Sequence, residues 1–433
     1  MWKRGALFLI YGIGRRTTIS EVKMMNRKHN RSRNIARLLL LMMMVVLALA
    51  GCQLQLDRSG QEAPAPIPGL AGQGSAAADP TLPPTPTPAP APKQEEAPVA
   101  KAFAYSLMIT HSKSNTVSFV NPESGVIEKQ LEAGTAPFAL ALDAGSGRAY
   151  VSTAEGVAVV DTKQRKRTAL VPYQSAIQAI KFGEYRPGGM GIAVSPDGRF
   201  VYVGVYLPGK ASQVEILDTE KLAIVGTVPV GTRPFDVVVS KDGNEVYSID
   251  HDSYSVTIVD PMKRTARKID VAPYGKGGFE KPHYAVVRED GHLLLPYQGR
   301  GLVDFDPVRG TYETKPLTGN SHQEGVALTP DGTRMLIIGN GAAGSATGSP
   351  NLTVLDMRTL GEKIIPLNRV HQMVASSPDG KLAYLTGGVT YADTGWDGLT
   401  IVDLEKGTTK EMALPDYPLD VEIVQQQPDT AKS

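Results

Sequence analysis

The chain has 433 residues, and its 45 basic side chains are balanced by 44 acidic ones, which argues against a general polyanion-binding role, so no nucleic-acid partner is expected. The single cysteine, Cys52, excludes a disulfide and a CxxCH haem attachment in any folded domain that follows it. Nothing in this composition calls for a cofactor, and none is expected.

In chain order, the basic stretch Asn26 to Arg33 leads straight into the apolar run Leu38 to Ala50. That run is long enough for a signal-peptide core and too short to cross a bilayer comfortably. It ends in Leu49-Ala50-Gly51-Cys52, which resembles a bacterial lipobox. The resemblance implies that Cys52 takes a diacylglyceryl group and becomes the mature N-terminus, tethering the protein to the cell membrane and facing it outside the cytoplasm. Residues 1–51 therefore read as an N-terminal extension plus signal peptide, with the true start expected at Met24 or Met25. Residues 52–101 are a Pro/Ala/Thr-rich linker centred on the proline-rich run Pro80 to Pro90, expected to be disordered, extended and semi-rigid. It serves as a spacer across the envelope or as a passive linker.

From 102 to 426 the character changes, and a disordered tail is expected over 427–433. Seven times a short apolar run ends in Asn or Asp and drops into a polar turn, at Asn121, Asp161, Asp218, Asp260, Asp306, Asp356 and Asp403. The intervals, 40 to 57 residues, are the length of one four-stranded propeller blade. One unit is clear in Gly191 to Val203, Gln213 to Asp218 and Ile224 to Val228. Its Ser195-Pro196-Asp197-Gly198 turn returns in variant form at Ser240, Arg288, Thr329 and Ser377. Proline presets φ and glycine accepts positive φ, while the flanking Val, Ile and Tyr favour half-buried strands.

These residues resemble the YVTN-type β-propeller repeats of bacterial and archaeal surface proteins, relatives of seven-bladed lactonase-type propellers. Tyr150-Val151-Ser152-Thr153, Tyr202-Val203-Gly204 and Tyr384-Leu385-Thr386-Gly387 stand in place of the literal Tyr-Val-Thr-Asn. The resemblance implies an all-β, seven-bladed propeller of four-stranded blades, and it transfers no catalytic residue. Six blades are complete, starting near Phe138, Met190, Phe235, His283, Glu324 and Gln372. The first blade is split, with three strands from the N-terminus and the lone strand Leu419 to Val424 closing the ring from the other end.

Five insertions, 173–189, 206–212, 273–281, 339–351 and 387–398, all map to one face, the top. Loops on a rigid scaffold carry function. The innermost strands begin on that face, and aligning them brings Phe138, Met190, Phe235, His283, Glu324, Gln372 and Leu419 to the channel mouth, apolar on one side and polar on the other. Strand alternation puts His322 and Glu324 on one side of their strand, with His371 nearby. The candidate catalytic groups are His283, His322, Glu324 and His371, and the candidate metal ligands are His322, Glu324 and His371. The bland alternative is a channel lining bonded to backbone and water.

The loop Asp393 to Gly398 presents Trp396, which together with Tyr391 offers ring area to a glycan or protein. The alternative is a tryptophan folded back over its own blade. Phe138, Met190, Phe235 and Gln372 complete the candidate binding set. Two basic clusters, Lys163 to Arg167 and Lys263 to Lys268, fall in lower-face turns and suit anionic envelope polymers or plain solvation. No G-x-S-x-G nucleophile motif is present, so the sequence favours a monomeric binding scaffold for an envelope component or partner protein over an enzyme. A lactonase-like hydrolase built on the histidine sector and a structural surface-layer component are the alternatives.

Overall fold

The computed structural model describes residues 105–178, 185–297, 301–319, 321–343, 346–390 and 394–426. Cys52, the signal segment, the linker over 52–101, Tyr391 and the tail 427–433 lie outside the described residues.

Among the described residues, 28 strands form seven four-stranded antiparallel sheets. In the complete blades each sheet follows chain order from the channel outward, as in 188–194, 200–206, 213–218 and 223–229. The second and third strands read as near-continuous apolar runs because each blade is packed between two others and is buried on both faces. Tyr150, Val157 and Val159 of the second blade share one cluster with Ile192, Val201 and Val203 of the third. Ile249 and Val256 of the fourth meet Leu295, Val303 and Phe305 of the fifth in the same way. The fourth strands, such as Ile127–Glu132 and Thr265–Asp270, are largely exposed and carry charged side chains. Charge on the outer edge discourages pairing with another chain. The two basic clusters run from the lower turns into such outer strands, and Arg165 is paired there with Glu128 at 2.8 Å.

The sevenfold Asn/Asp has a local cause. Asp161 Oδ1 accepts from the backbone N–H of Lys163 (2.9 Å) and Gln164 (2.8 Å), and Asp218, Asp306, Asp356, Asp403 and Asn121 repeat the arrangement. The side chain thus closes the turn between the third and fourth strands of each blade. Four residues further on the backbone is left-handed in every blade, at Gly125, Arg165, Leu222, Arg264, Gly310, Leu360 and Gly407. Only three of those seven positions hold the residue that adopts this conformation without steric cost.

The turns of the lower face run to at most six residues, whereas 173–187, 271–285, 341–349 and 387–397 are longer and all connect strands at the top; the insertion expected over 206–212 is a six-residue top connection. The fifth blade has a short innermost strand, Val286–Val287, so His283 precedes it and is steadied by the bridge between Pro282 and Tyr297.

Closure is direct. Pro418–Gln425 is the innermost strand of the first blade and pairs antiparallel with Tyr105–His111, in the register Leu107 with Ile423 and Ile109 with Val421. Leu419, Val421 and Val424 are buried by that pairing. Burying each contributes about 1.5–3 kcal/mol, a sum comparable with the whole stability of a domain, about 5–15 kcal/mol. Ending the chain after Tyr417 should therefore abolish the cooperative thermal transition seen by circular dichroism. A truncated chain that melts within a few degrees of the full one would refute the closure.

Candidate functional site

The innermost strands start at the top of the channel, and four of them start irregularly, the closing strand among them, between Pro418 and Val421. Bulges interrupt the ladders between Gly189 and Ile192, Pro234 and Asp236, and Gln323 and Val326. A bulge re-aims the side chain within it, here Met190, Phe235 and Glu324. Gly325 is required beside Glu324: a Cβ there would lie 2.3 Å from the Gln372 carbonyl oxygen, to which the Gly325 N–H donates at 2.9 Å.

Phe138, Met190, Phe235 and Leu419 gather with Tyr284 in one buried apolar cluster, and Phe138 meets Phe235 edge-on at 5.6 Å. They pack as a plug beneath the mouth and present little surface to a ligand. Against this plug stands the polar sector. Glu324, 1 % exposed, has His283 Nδ1 at 2.9 Å from Oε2 and His322 Nε2 at 2.9 Å from Oε1. Gln372 Nε2 donates to Glu324 Oε2 at 3.0 Å and to the Tyr284 hydroxyl at 2.9 Å, while Gln372 Oε1 accepts from the Thr390 backbone N–H at 2.9 Å. A buried charge is tolerable only when paired and bonded in this way. Burial pushes the Glu324 carboxyl up, but the charge and hydrogen bonds of His283, then those of His322, outweigh it and hold the group at about 2. An ionised carboxylate only accepts, so His322 turns its Nε2–H toward Oε1.

His283 packs against Phe235, 4.9 Å between centroids, and against His251 at 4.6 Å, and these two rings are themselves 5.5 Å apart. Behind His251 the fully buried Arg233 reaches His251 Nδ1 at 2.5 Å and Asp252 at 3.4 Å, and lies 4.4 Å from the Tyr185 ring centroid. Burial keeps His251 well below the usual imidazole range, so it is neutral between the two. On the far side of the plug, buried Arg186 lies 5.3 Å from the Phe138 ring centroid and donates to the Pro187 and Gly189 carbonyls.

The other sequence candidates lie elsewhere. His371 Nε2 sits 2.7 Å from Thr400 Oγ1, its ring edge-on to Trp396, and burial lowers it to about 3. Trp396 is half-buried, with its indole N–H donating to the Val370 carbonyl at 3.1 Å and Arg369 over its ring. It folds back over its own blade. The structure brings His283, His322, Glu324 and Gln372 together, and His371 is not among them.

Arg233, His251, Tyr284 and Arg186 were not singled out by sequence. A signal for Arg233 existed, since it precedes Phe235 by two residues as His322 precedes Glu324, and alternation puts both pairs on the same strand face. His251 and Arg186 arrive from loops and carry no period.

A family model described as "Lactonase, 7-bladed beta-propeller" matches residues 111–270. The domain is a seven-bladed propeller, and that match covers under half of the chain. The matched segment ends before His283. No curated protein matches the sequence. Among solved structures, Kuenenia stuttgartiensis hydrazine synthase is 18% identical, covering 71% of this chain and 92% of that one at a TM-score of 0.53. The Pseudomonas aeruginosa periplasmic gluconolactonase PpgL is 15% identical, over 74% of this chain and 99% of its own, at 0.54. A protein of unknown function from Desulfotomaculum acetoxidans DSM 771 is 11% identical over 75% and 99%, at 0.56. Likeness at these identities is likeness of fold.

Below the plug the channel is lined by three acids, Asp236, Asp420 and Glu422. Asp236 accepts from the Ala285 N–H (3.0 Å) and Asp420 from the Leu140 N–H (2.6 Å), each carboxylate stitching its blade to the next. Glu422 has no such cross-blade bond among the described residues, and burial raises it to about 7. Its proton is therefore held more tightly in the folded chain than in the unfolded one, so this group lowers stability as pH rises from about 4.5 to 7. Glu422→Gln should melt a few degrees above the parent at pH 8 and alongside it at pH 4, as differential scanning calorimetry would register.

Proposed function

We propose that the protein is a lipid-anchored, extracytoplasmic propeller whose top mouth hydrolyses a small lactone or similarly strained ester. The observation that carries this reading is Glu324, buried at the mouth with an imidazole 2.9 Å from each of its oxygens. Such a carboxylate fixes the tautomer of the imidazoles and stabilises the imidazolium that forms when one of them takes a proton. In the reaction, a water gives a proton to the imidazole sector as its oxygen bonds to the lactone carbonyl carbon. The ring C–O bond then breaks, and the departing alkoxide takes a proton back. One water is added and a hydroxy acid leaves. The lactonase family model and the fold shared with a gluconolactonase support the substrate class. The lipobox resemblance at Cys52 supports the anchor.

Capture of an envelope component or partner protein without turnover is the second reading. It is favoured by the aromatic side chains exposed on the top loops, Tyr185, Tyr274 and Phe279, at 51%, 38% and 67%. The same rings would flank a small molecule entering the mouth.

Detergent-solubilised full-length protein should release acid from five- and six-membered lactones. Glu324→Gln should lower kcat/KM by about 10²–10⁴-fold, the range of general acid–base contributions. Absence of turnover across a lactone panel, or turnover indifferent to Glu324→Gln, would end the hydrolase reading. Cells grown with labelled fatty acid should incorporate label into the protein and not into its Cys52→Ser variant, and equal labelling of both would remove the anchor.

A further inference from the structure

We propose that His283, His322 and Glu324 form a divalent transition-metal site, the site of a zinc-like ion at the mouth of the channel. The inference deepens the reading of the mouth as a hydrolytic site and rests on it only for what the metal does.

The first ground is convergence. One nitrogen of each imidazole and one carboxylate oxygen all lie within 4.8 Å of one another, and the three residues are buried. Ligands 2.0–2.1 Å from a tetrahedral ion stand roughly 3.3 Å apart. The two imidazole–carboxylate separations, 2.9 Å each, are already that short. The remaining closure, of ligand atoms that lie within 4.8 Å of one another, is a rotation of the side chains toward one point.

The second ground is the donor set. Two imidazoles and one carboxylate, from the starts of two adjacent innermost strands, make a three-ligand donor set, the composition of a catalytic zinc site. His322 immediately precedes the strand Gln323–Leu328 that carries Glu324, and His283 comes from the neighbouring blade, so the ring itself fixes their separation.

The third ground is support around the ligands. Metal-bound groups are held by outer hydrogen bonds that set their orientation. Glu324 has Gln372, which is itself pinned by the Thr390 N–H and the Tyr284 hydroxyl. The His283 ring is braced by the Phe235 and His251 rings packed against it. The backbone of His322 is fixed on both sides, its N–H donating to Gly341 and its carbonyl accepting from Asn340.

The chemistry also asks for a cation. Water addition to a lactone builds negative charge on the carbonyl oxygen. The buried guanidiniums around the mouth are committed elsewhere, Arg233 to His251 and Asp252 and Arg186 to two backbone carbonyls. An ion held by His283, His322 and Glu324 would polarise that carbonyl and lower the pKa of a bound water.

The test uses full-length protein stripped with chelator and titrated with Zn²⁺ and, separately, Co²⁺. Calorimetry should give one ion per chain, and Co²⁺ should develop the intense visible bands of a low-coordinate nitrogen–oxygen site, a readout that needs no variant. His322→Ala and Glu324→Gln should each weaken Zn²⁺ binding by more than the roughly 10–100-fold that loss of an outer-shell partner costs, while Gln372→Leu should fall within that range. His371→Ala should bind as the parent does. No stoichiometric ion, colourless Co²⁺ protein, or binding indifferent to the three ligands would overturn the site. Stoichiometric binding without lactone turnover would leave the metal site standing and remove the hydrolase reading. Turnover that survives chelation, with no ion bound, would do the reverse.

Discussion

The ladder between residues 105–111 and 418–425 is the constraint on which the rest of the molecule depends. A four-stranded blade cannot bury both of its own faces, and a row of such blades leaves two faces and an edge open. Joining the ends removes all three exposures at once. It also makes every blade's position a consequence of every other's, because no sheet can tilt without opening a gap between its apolar clusters and those beside it. The cost is kinetic, since the closing strand pairs with residues more than 300 positions away and that contact forms late.

The site inherits its geometry from that ring. His283 and Glu324 are 41 residues apart in sequence, and what brings them to 2.9 Å is the angular step from one blade to the next. Bulges then turn individual side chains out of the pleat, and a glycine at 325 lets the sixth blade's strand approach the seventh. The site is thus assembled where the connections enter the innermost strands, and the ring fixes the separations of those entries, which suits a job that needs fixed ligand separations. The apolar plug of Phe138, Met190, Phe235, Tyr284 and Leu419 shields one flank of the ion pair from the channel, lowering the local dielectric and strengthening each contact of Glu324.

Much of the fold was legible because its signals are local and repeat. Asp161, Asp218 and their counterparts cap their own turns within three residues, so a period in the sequence is a period in space. The split blade could be read because three strands at one end and one at the other add to four. The site was legible in part. Alternation alone joined His322 to Glu324, and alignment of the innermost strands brought His283 to the same mouth. His371 has the same residue type and nearly the same strand position, yet its ring faces Thr400 and Trp396. It stands one residue before Gln372, whereas His322 stands two before Glu324, so alternation turns it to the other side of its strand. Trp396 likewise looked available in a Gly-rich loop, and the carbonyl of Val370 satisfies its N–H. Arg186 and His251 reach the mouth from connections whose course depends on tertiary contacts.

The register of the closing pair has one more consequence. Tyr105 stands opposite Gln425, at the end of the innermost strand, whereas His111 stands opposite Pro418, where that strand begins beside the mouth. Both termini of the ring therefore leave from the rim farthest from His283 and Glu324. The two ends of the closing ladder thus open on the floor of the propeller, and the direction in which two strands happen to run keeps them away from the mouth.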